Sequence, residues 1–436
     1  MIYLLVTCTF ILLIITYLGV ENDLMHPAVL ICGSYFLCIC AAIYNLDYWG
    51  VEYHAFTVFI ILVALSCISF ISIFLVRCFS NKTYSLDIQK EYSPEMSIEI
   101  DHFIYIIFLM LSIGTTIWYL YIAIKEGGSG SITDILSGFR MASSYGMDEE
   151  FSMPFLLNQL IKFNKVLAYF MTLVFINNFI VIGKRQYKLL IFAVFFILQS
   201  VIGGNRQYVL YMVIECVIAS YIMVKRYRTW RTSNNIKYVK IIGKAFIALI
   251  VFFVFAGNLL GRSTLILDPL RAITTYIGGA VALLELFLQN PSISASTLWG
   301  EETFSSIYKT IMSGQTGTRH LEFRSNNGIV IGNIYGALRK YYHDFNVVGT
   351  IILCILFGLI FSLLYKYWIK NERIYRPLSF RLCVYTLIMH CTIYFPLDDL
   401  FYSGVLSTNY LTQFILLWLV YYFIVKHQLR FRLCNI

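Results

Sequence analysis

The sequence predicts an all-α membrane protein that crosses the bilayer about eleven times (11–12) and carries one large extramembrane loop containing short helices. Three observations carry that expectation. First, 59% of the 436 residues are apolar and only 13% are charged, against about 25% charged in a soluble domain. Second, the apolar residues fall in continuous runs of about 20, the length that spans a hydrocarbon core as a helix. Lipid offers the backbone no hydrogen bonds, so such runs form helices or closed barrels, and these runs lack the alternation of barrel strands. Third, the basic residues collect at the ends of the runs. A net charge of +9 spread this way marks the positive-inside bias rather than a nucleic-acid partner.

In chain order the expected spans lie near 1–20, 27–46, 55–76, 103–124, 155–182, 188–203, 207–224, 241–260, 347–366, 381–396 and 405–425. Met1 to Val20 has no basic leading segment and no small-residue cleavage site, so a retained helix is expected there rather than a cleaved leader. Five gaps are basic: Arg77, Lys82 and Lys90; Lys184, Arg185 and Lys188; Lys225, Arg226, Arg228, Arg231, Lys237, Lys240 and Lys244; Lys366, Lys370, Arg373 and Arg376; and Lys426, Arg430 and Arg432. They alternate correctly, so all can be cytoplasmic at once. The outward set is then Lys125–Pro154, the turn Gly203–Arg206, the loop 262–346 and Pro396–Gly404. With a cytoplasmic C-terminus, eleven spans put the N-terminus outside. The first two gaps hold no Lys or Arg, so they do not fix the first two spans. Residues 1–436 read as a single membrane domain, with no repeat and no low-complexity segment, and 262–346 is its large periplasmic loop. Within the loop, Pro269–Leu288 suits an interfacial helix; as a full span it would invert everything after it.

Of eleven cysteines, Cys8, Cys38, Cys67, Cys216, Cys354 and Cys391 lie within apolar runs and none lies in 262–346. They read as small apolar residues, not a disulfide framework.

Outward arginines run against the charge bias and ask for a reason. They are Arg140, Arg206, Arg262, Arg271, Arg319, Arg324 and Arg339. A guanidinium fork suits phosphate, and such a group could hold the diphosphate of a lipid-linked substrate; each could equally snorkel to the headgroups. Three clusters stand out. Gly203-Gly204-Asn205-Arg206 is a short hairpin with one cation at its tip. Arg319-His320-Leu321-Glu322-Phe323-Arg324 combines two cations with the possible proton acceptors His320 and Glu322. Arg339-Lys340-Tyr341-Tyr342-His343-Asp344-Phe345 precedes a strongly apolar run. There Asp344 could act as general base, orient His343, or cap the following helix. The pair Asp398-Asp399 could bind metal or act as acid and base, but in so short a loop it reads first as solvation. No P-loop, no Gly-rich dinucleotide turn and no spaced Cys/His metal set is present, so no cofactor is expected.

At these residues the chain resembles the Wzy-type O-antigen polymerases. The stretch Gly332-Asn333-Ile334-Tyr335-Gly336 through Arg339 and Asp344-Phe345 to Gly349 is similar to the pattern that ends the family's large periplasmic loop. Gly203-Gly204-Asn205-Arg206 resembles its Gly-Arg turn, and Thr275-Tyr276-Ile277-Gly278-Gly279 a Tyr-Gly-Gly segment early in its loop. The resemblance implies a glycosyltransferase in the bacterial inner membrane with its active face periplasmic. It would move a growing chain from undecaprenyl diphosphate to the terminal sugar of one lipid-linked repeat unit, without metal or nucleotide. It implies that Arg206 contacts a diphosphate, that Asp344 binds or activates the acceptor hydroxyl, and that Arg339 assists. It also implies a chain-length regulator (Wzz-type) and a flippase (Wzx-type) as partners, beside membrane lipid. Arg262, Arg319, His320 and Arg324 rest on charge alone. Rival readings are an O-antigen ligase, a flippase or other transporter of lipid-linked oligosaccharides, and a structural membrane protein. A transporter favours repeats and mid-span charges, of which Glu215 is the clearest here.

Overall fold

The computed structural model describes residues 1–78, 96–145, 153–227, 240, 243–244, 268–291, 299–311, 321–371 and 378–426. The chain is an all-α polytopic membrane protein. Among the described residues, nine helices are long and apolar enough to cross a membrane. Eight of them coincide with expected spans, and the shorter apolar helices Tyr187–Ile202 and Phe380–Tyr394 coincide with two more. Of the expected span 241–260 only residues 243–244 are described. The helices are α1 (Ile2–Gly19), α2 (Pro27–Tyr44), α3 (Ala55–Cys78), α4 (His102–Glu126), α5 (Ile132–Tyr145), α6 (Phe155–Ile182), α7 (Ile191–Ile202), α8 (Gln207–Tyr227), α9 (Pro269–Gln289), α10 (Ser305–Ile311), α11 (Ala337–Leu364), α12 (Phe380–Ile388), α13 (His390–Tyr394) and α14 (Thr408–Tyr421). Local chemistry sets their ends. His26 accepts from Ala28 N ahead of Pro27, Asp101 accepts from Phe103 N and Ile104 N, and left-handed Gly183 closes α6.

The helices pack in two compact units. The first gathers the described residues of Met1–Asp87, Asp268–Glu372 and Ile388–Leu411. Within it α3 packs on α11, with Gly358 set against the backbone of Ile68. Small hydroxyls join helices that approach this closely: Thr16 Oγ1 donates to Ser69 Oγ at 2.8 Å, and the Ser72 and Ser362 hydroxyls meet at 2.8 Å. At one end of this unit Lys370 reaches Glu21 at 3.0 Å and the Tyr365 hydroxyl donates to Asp23. The opposite end gathers the connection from α2 to α3 and the polar segments 299–311, 321–345 and 395–407.

Two features of that end depart from expectation. The loop 262–346 contains more than short helices, because α9 runs for 21 residues, capped by Asp268 with Pro269 at its first position. Gly278 lets α9 touch α2, since a methyl there would collide with the backbone of Ala41 and Ala42. Arg271 lies over the Tyr48 ring at 4.2 Å and Gln289 bonds the Glu52 carbonyl. By length and apolarity α9 qualifies as a span, where the sequence suggested an interfacial helix. The second departure is α11, which starts at Ala337 rather than near 347. Its first turns are polar, and Asn346, at φ 56°, kinks the helix where the apolar run begins. A two-stranded hairpin, β1 (Arg324–Asn326) and β2 (Ile329–Gly332), precedes it. Asn327 and Gly328 supply the two positive φ angles that its tight turn needs.

The second unit gathers the described residues of Ile88–Leu267, Arg373–Leu387 and Thr412–Ile436. Polar pairs bind its helices too: Ser112 to Asn164 at 3.1 Å, Gln199 to Thr116 at 2.8 Å, and Tyr169 to the Cys383 carbonyl at 2.8 Å. Under α5 sits an apolar cluster of Tyr119, Phe139, Leu157 and Ile202.

Candidate functional site

The polar extension of α11 organises the first unit's loop end. Ala337 N donates to the Phe395 carbonyl at 3.1 Å, and Gly336 lies so close to the Pro396 carbonyl that no side chain fits there. The helix start is thereby fixed to the segment that carries Asp398 and Asp399. On a helix, residues four apart share a face, so Arg339 aligns with His343, and Lys340 with Asp344.

Arg339 is fully buried. Its guanidinium pairs with Glu302, lies 3.9 Å from Glu322, and is flanked by the rings of Phe287 at 4.6 Å and Tyr335 at 5.0 Å. A buried charge is tolerated only when paired, and here the partners are carboxylates. Asp344 is also buried; one oxygen accepts from Thr303 N at 2.7 Å and the other lies 3.1 Å from His343 Nδ1. Glu302 lies 3.6 Å from the same nitrogen. Facing two carboxylates, Nδ1 carries the ring proton and leaves Nε2 as the basic nitrogen. Three carboxylates (Glu302, Glu322, Asp344) meet two guanidiniums (Arg324, Arg339). Of the two roles open to Asp344 beside capping, this geometry favours orientation of His343. Its two oxygens meet Thr303 N and His343 Nδ1 rather than the start of the apolar helix after the Asn346 kink.

Glu322, a possible proton acceptor by sequence, is engaged by Arg324 through Nε and Nη2, each at 3.0 Å, and by the Tyr335 hydroxyl at 3.2 Å. Burial and then the Glu322 charge push the Tyr335 phenol up, so it stays a donor. Arg324 also donates to the Leu286 carbonyl at the end of α9. Arg324 and Arg339 therefore face protein acceptors in this arrangement.

Beside this cluster, Lys340 Nζ donates to Asp398 at 2.6 Å. Asp399 is 1% exposed, unlike the solvating loop residue the sequence suggests. Its Oδ1 accepts from Tyr341 Oη, Phe401 N and Tyr402 N at 3.2, 3.2 and 3.0 Å, while its buried Oδ2 has no partner. Burial pushes its carboxyl up to about 7, against the opposing pull of Lys340.

Arg206 belongs to the second unit and is buried at the start of α8. The turn before it ends α7: Gly204 N donates to the Val201 carbonyl, Asn205 N to the Ser200 carbonyl, and Gly204 is left-handed at φ 67°. These are the two bonds of a Schellman motif, so the glycine pair terminates a helix before anything else. Arg140 packs against Gly204. Arg262, Arg319 and His320 lie outside the described residues. Sequence reasoning missed Glu302 and Thr303, which reach the site only through long-range folding; the doublet Glu301-Glu302 after Gly300 was the one available signal. Among the described residues no group of three or more His, Cys, Asp or Glu is placed to hold a metal ion. Comparison of the chain with family models, with curated proteins and with solved structures finds no match.

Proposed function

We propose that this protein polymerises undecaprenyl-diphosphate-linked oligosaccharide repeat units by glycosyl transfer on the periplasmic face of a bacterial inner membrane. The observation that carries the reading is His343, oriented through Nδ1 by Asp344 and Glu302 at the point where α11 leaves a polar cluster for its apolar run. A base held so can take a proton from a sugar hydroxyl, and a site at the end of spanning helices can meet a substrate whose lipid tail stays in the bilayer. The sequence resemblance supplies the substrate class. Lipid-diphosphate cleavage provides the driving force, so no nucleotide is required.

A second reading, a transporter of lipid-linked oligosaccharides, draws support from the second unit. There Glu215 is buried inside α8, and Lys165 of α6 lies over the Tyr208 ring at 4.8 Å. Ionisable groups within spans mark transport paths in many membrane proteins.

A lipopolysaccharide gel of a strain deleted for the gene separates these. The polymerase reading expects core plus one repeat unit in the deletion strain and a ladder when the gene is returned. His343→Gln and Asp344→Asn, present in the membrane at normal levels, are expected to lower polymer by roughly 100-fold or more. Bare core with polymer accumulated on the lipid carrier would indicate a ligase instead, and repeat units trapped on the inner face a flippase.

A further inference from the structure

Residues 299–311, which pack against the His343 cluster, form one small body. They run from Trp299 through the short α10 and bond among themselves. Phe304 N donates to the Gly300 carbonyl, Tyr308 N to the Phe304 carbonyl, and the Tyr308 hydroxyl to the Trp299 carbonyl. The inner edge of this strap touches the polar turns of α11. Glu302 pairs with Arg339 and lies 3.6 Å from His343 Nδ1, and Thr303 N donates to Asp344 at 2.7 Å. The Phe304 ring packs against Phe345 at 6.1 Å and Tyr402 at 5.8 Å, and the Ser306 hydroxyl donates to the Ser403 carbonyl. With the strap in place the His343 side chain is 14% exposed, and those of Asp344 and Arg339 are fully buried.

The strap is held by polar contacts more than by burial. No residue of α10 is buried, and Trp299 and Ile311 are exposed. An element that buries so little apolar surface belongs to the low end of local stability. Two of its polar atoms, Glu301 Oε2 and Thr303 Oγ1, are buried without a hydrogen-bond partner among the described residues. Each is a cost that is relieved when the strap lifts into water. Against this stands the pair of Glu302 with Arg339, the strongest of the strap's contacts because both partners are charged. Arg339 also has Glu322 at 3.9 Å, so its charge keeps a carboxylate nearby when Glu302 leaves. Asp344, on α11 itself, stays with His343 in either position of the strap.

We propose that residues 299–311 are a gate over His343, latched by Glu302 on Arg339. Lifted, the strap admits the sugar end of the acceptor; closed, it returns Glu302 to His343 Nδ1 and excludes water. The use of the gate in turnover rests on the polymerase reading, whereas its movement does not. A sugar hydroxyl has to come within about 3 Å of His343 Nε2 to give up its proton. A ring so covered offers an oligosaccharide little approach while the strap is down. Closure after entry completes the setting of the base and keeps water from competing with the acceptor hydroxyl.

The test is the reach of a thiol placed under the strap. Thr303→Cys puts one at a fully buried position, in full-length protein with the exposed Cys40 and Cys78 replaced. Labelling by a charged maleimide in detergent is read residue by residue by mass spectrometry, and the buried Cys391 reports any global loosening. The thiol at position 303 should label slowly, and adding Glu302→Gln should speed it roughly 10-fold or more while Cys391 stays unlabelled. Labelling that Glu302→Gln leaves unchanged, or that rises only together with Cys391, overturns the gate. Should Thr303→Cys not reach the membrane, hydrogen exchange decides. Glu302→Gln should speed exchange in 299–311 and leave 337–345 as it was; no change, or a change in both, rejects the proposal. Turnover is tested with Ser306→Cys and Ser403→Cys oxidised to a disulfide, on lipid-linked repeat units extracted from the deletion strain. The joined strap should stop polymer formation and a reducing agent restore it; a joined strap that polymerises at the wild-type rate overturns the gate. A wild-type gene that restores no ladder rejects the polymerase reading, and the labelling then judges the movement of the strap by itself.

Discussion

Arg339 shows how burial changes the meaning of a residue. By sequence it is an outward arginine fit for phosphate; in the fold it is the counter-charge that lets Glu302 and Glu322 sit beside it. Arg339→Met should therefore cost about 3–5 kcal/mol, the penalty for breaking a buried pair from one side. Adding Glu302→Gln to that variant should recover part of the loss. Thermal unfolding in detergent measures both. Asp399 makes a pH-dependent prediction. Its carboxyl is raised from 3.8 to about 7, so the folded protein holds a proton that the unfolded chain releases. The stability this contributes is present below pH 3.8 and lost as pH rises to about 7. Asp399→Asn should therefore raise the melting temperature more at pH 8 than at pH 5; an equal shift at both would show that the carboxyl is not held neutral. At this scale His343, Asp344, Arg339 and Glu322 were legible in the sequence because they are charged residues beside an apolar run. Glu302 and Asp399 were not, because each acquires its role from a partner far along the chain, Arg339 37 residues from Glu302 and Tyr341 58 residues from Asp399.

Among elements, α9 is the informative one. Its sequence is apolar but interrupted, and residues 269–289 fit either an interfacial helix or a span. The fold adds the close approach at Gly278, where α9 lies on the backbone of Ala41 and Ala42. Gly278→Leu should destabilise the first unit by about 1–3 kcal/mol through overpacking. Gly33→Ala, where the added methyl meets open space, should change little. Comparing folded yield and melting temperature of the two in detergent checks the claim. The Tyr-Gly-Gly resemblance at 276–279 thus has a packing explanation of its own. The early start of α11 has a similar cause. Residues 337–345 are polar, so hydropathy stops at 347, yet the bond from Ala337 N to the Phe395 carbonyl and the fit of Gly336 against Pro396 anchor a helix ten residues earlier.

For the whole molecule, the charge pattern makes a topological prediction. Ser131 and Ser325 fall in segments expected outside, and Lys184 in one expected inside; all three are exposed. Replaced singly by cysteine, with the exposed Cys40 and Cys78 removed, the first two should react with a membrane-impermeant maleimide on intact spheroplasts. Lys184→Cys should react only after permeabilisation. Labelling of Ser325→Cys from the inside alone would reverse the second half of the chain, as follows if α9 crosses the bilayer.

What the sequence determined by itself is the kind of protein and the position of nearly every described span. That information is local: about 20 apolar residues in a row have one stable solution in lipid, whatever they pack against. Tertiary structure alone decided which polar groups meet. The contacts of Glu302 with Arg339 and His343, and of Thr303 with Asp344, join segments far apart in the chain, and no run, period or spacing encodes them. It also decided which charges are engaged, because a buried guanidinium or carboxylate takes its meaning from its partners, and those are chosen only when the helices close on one another.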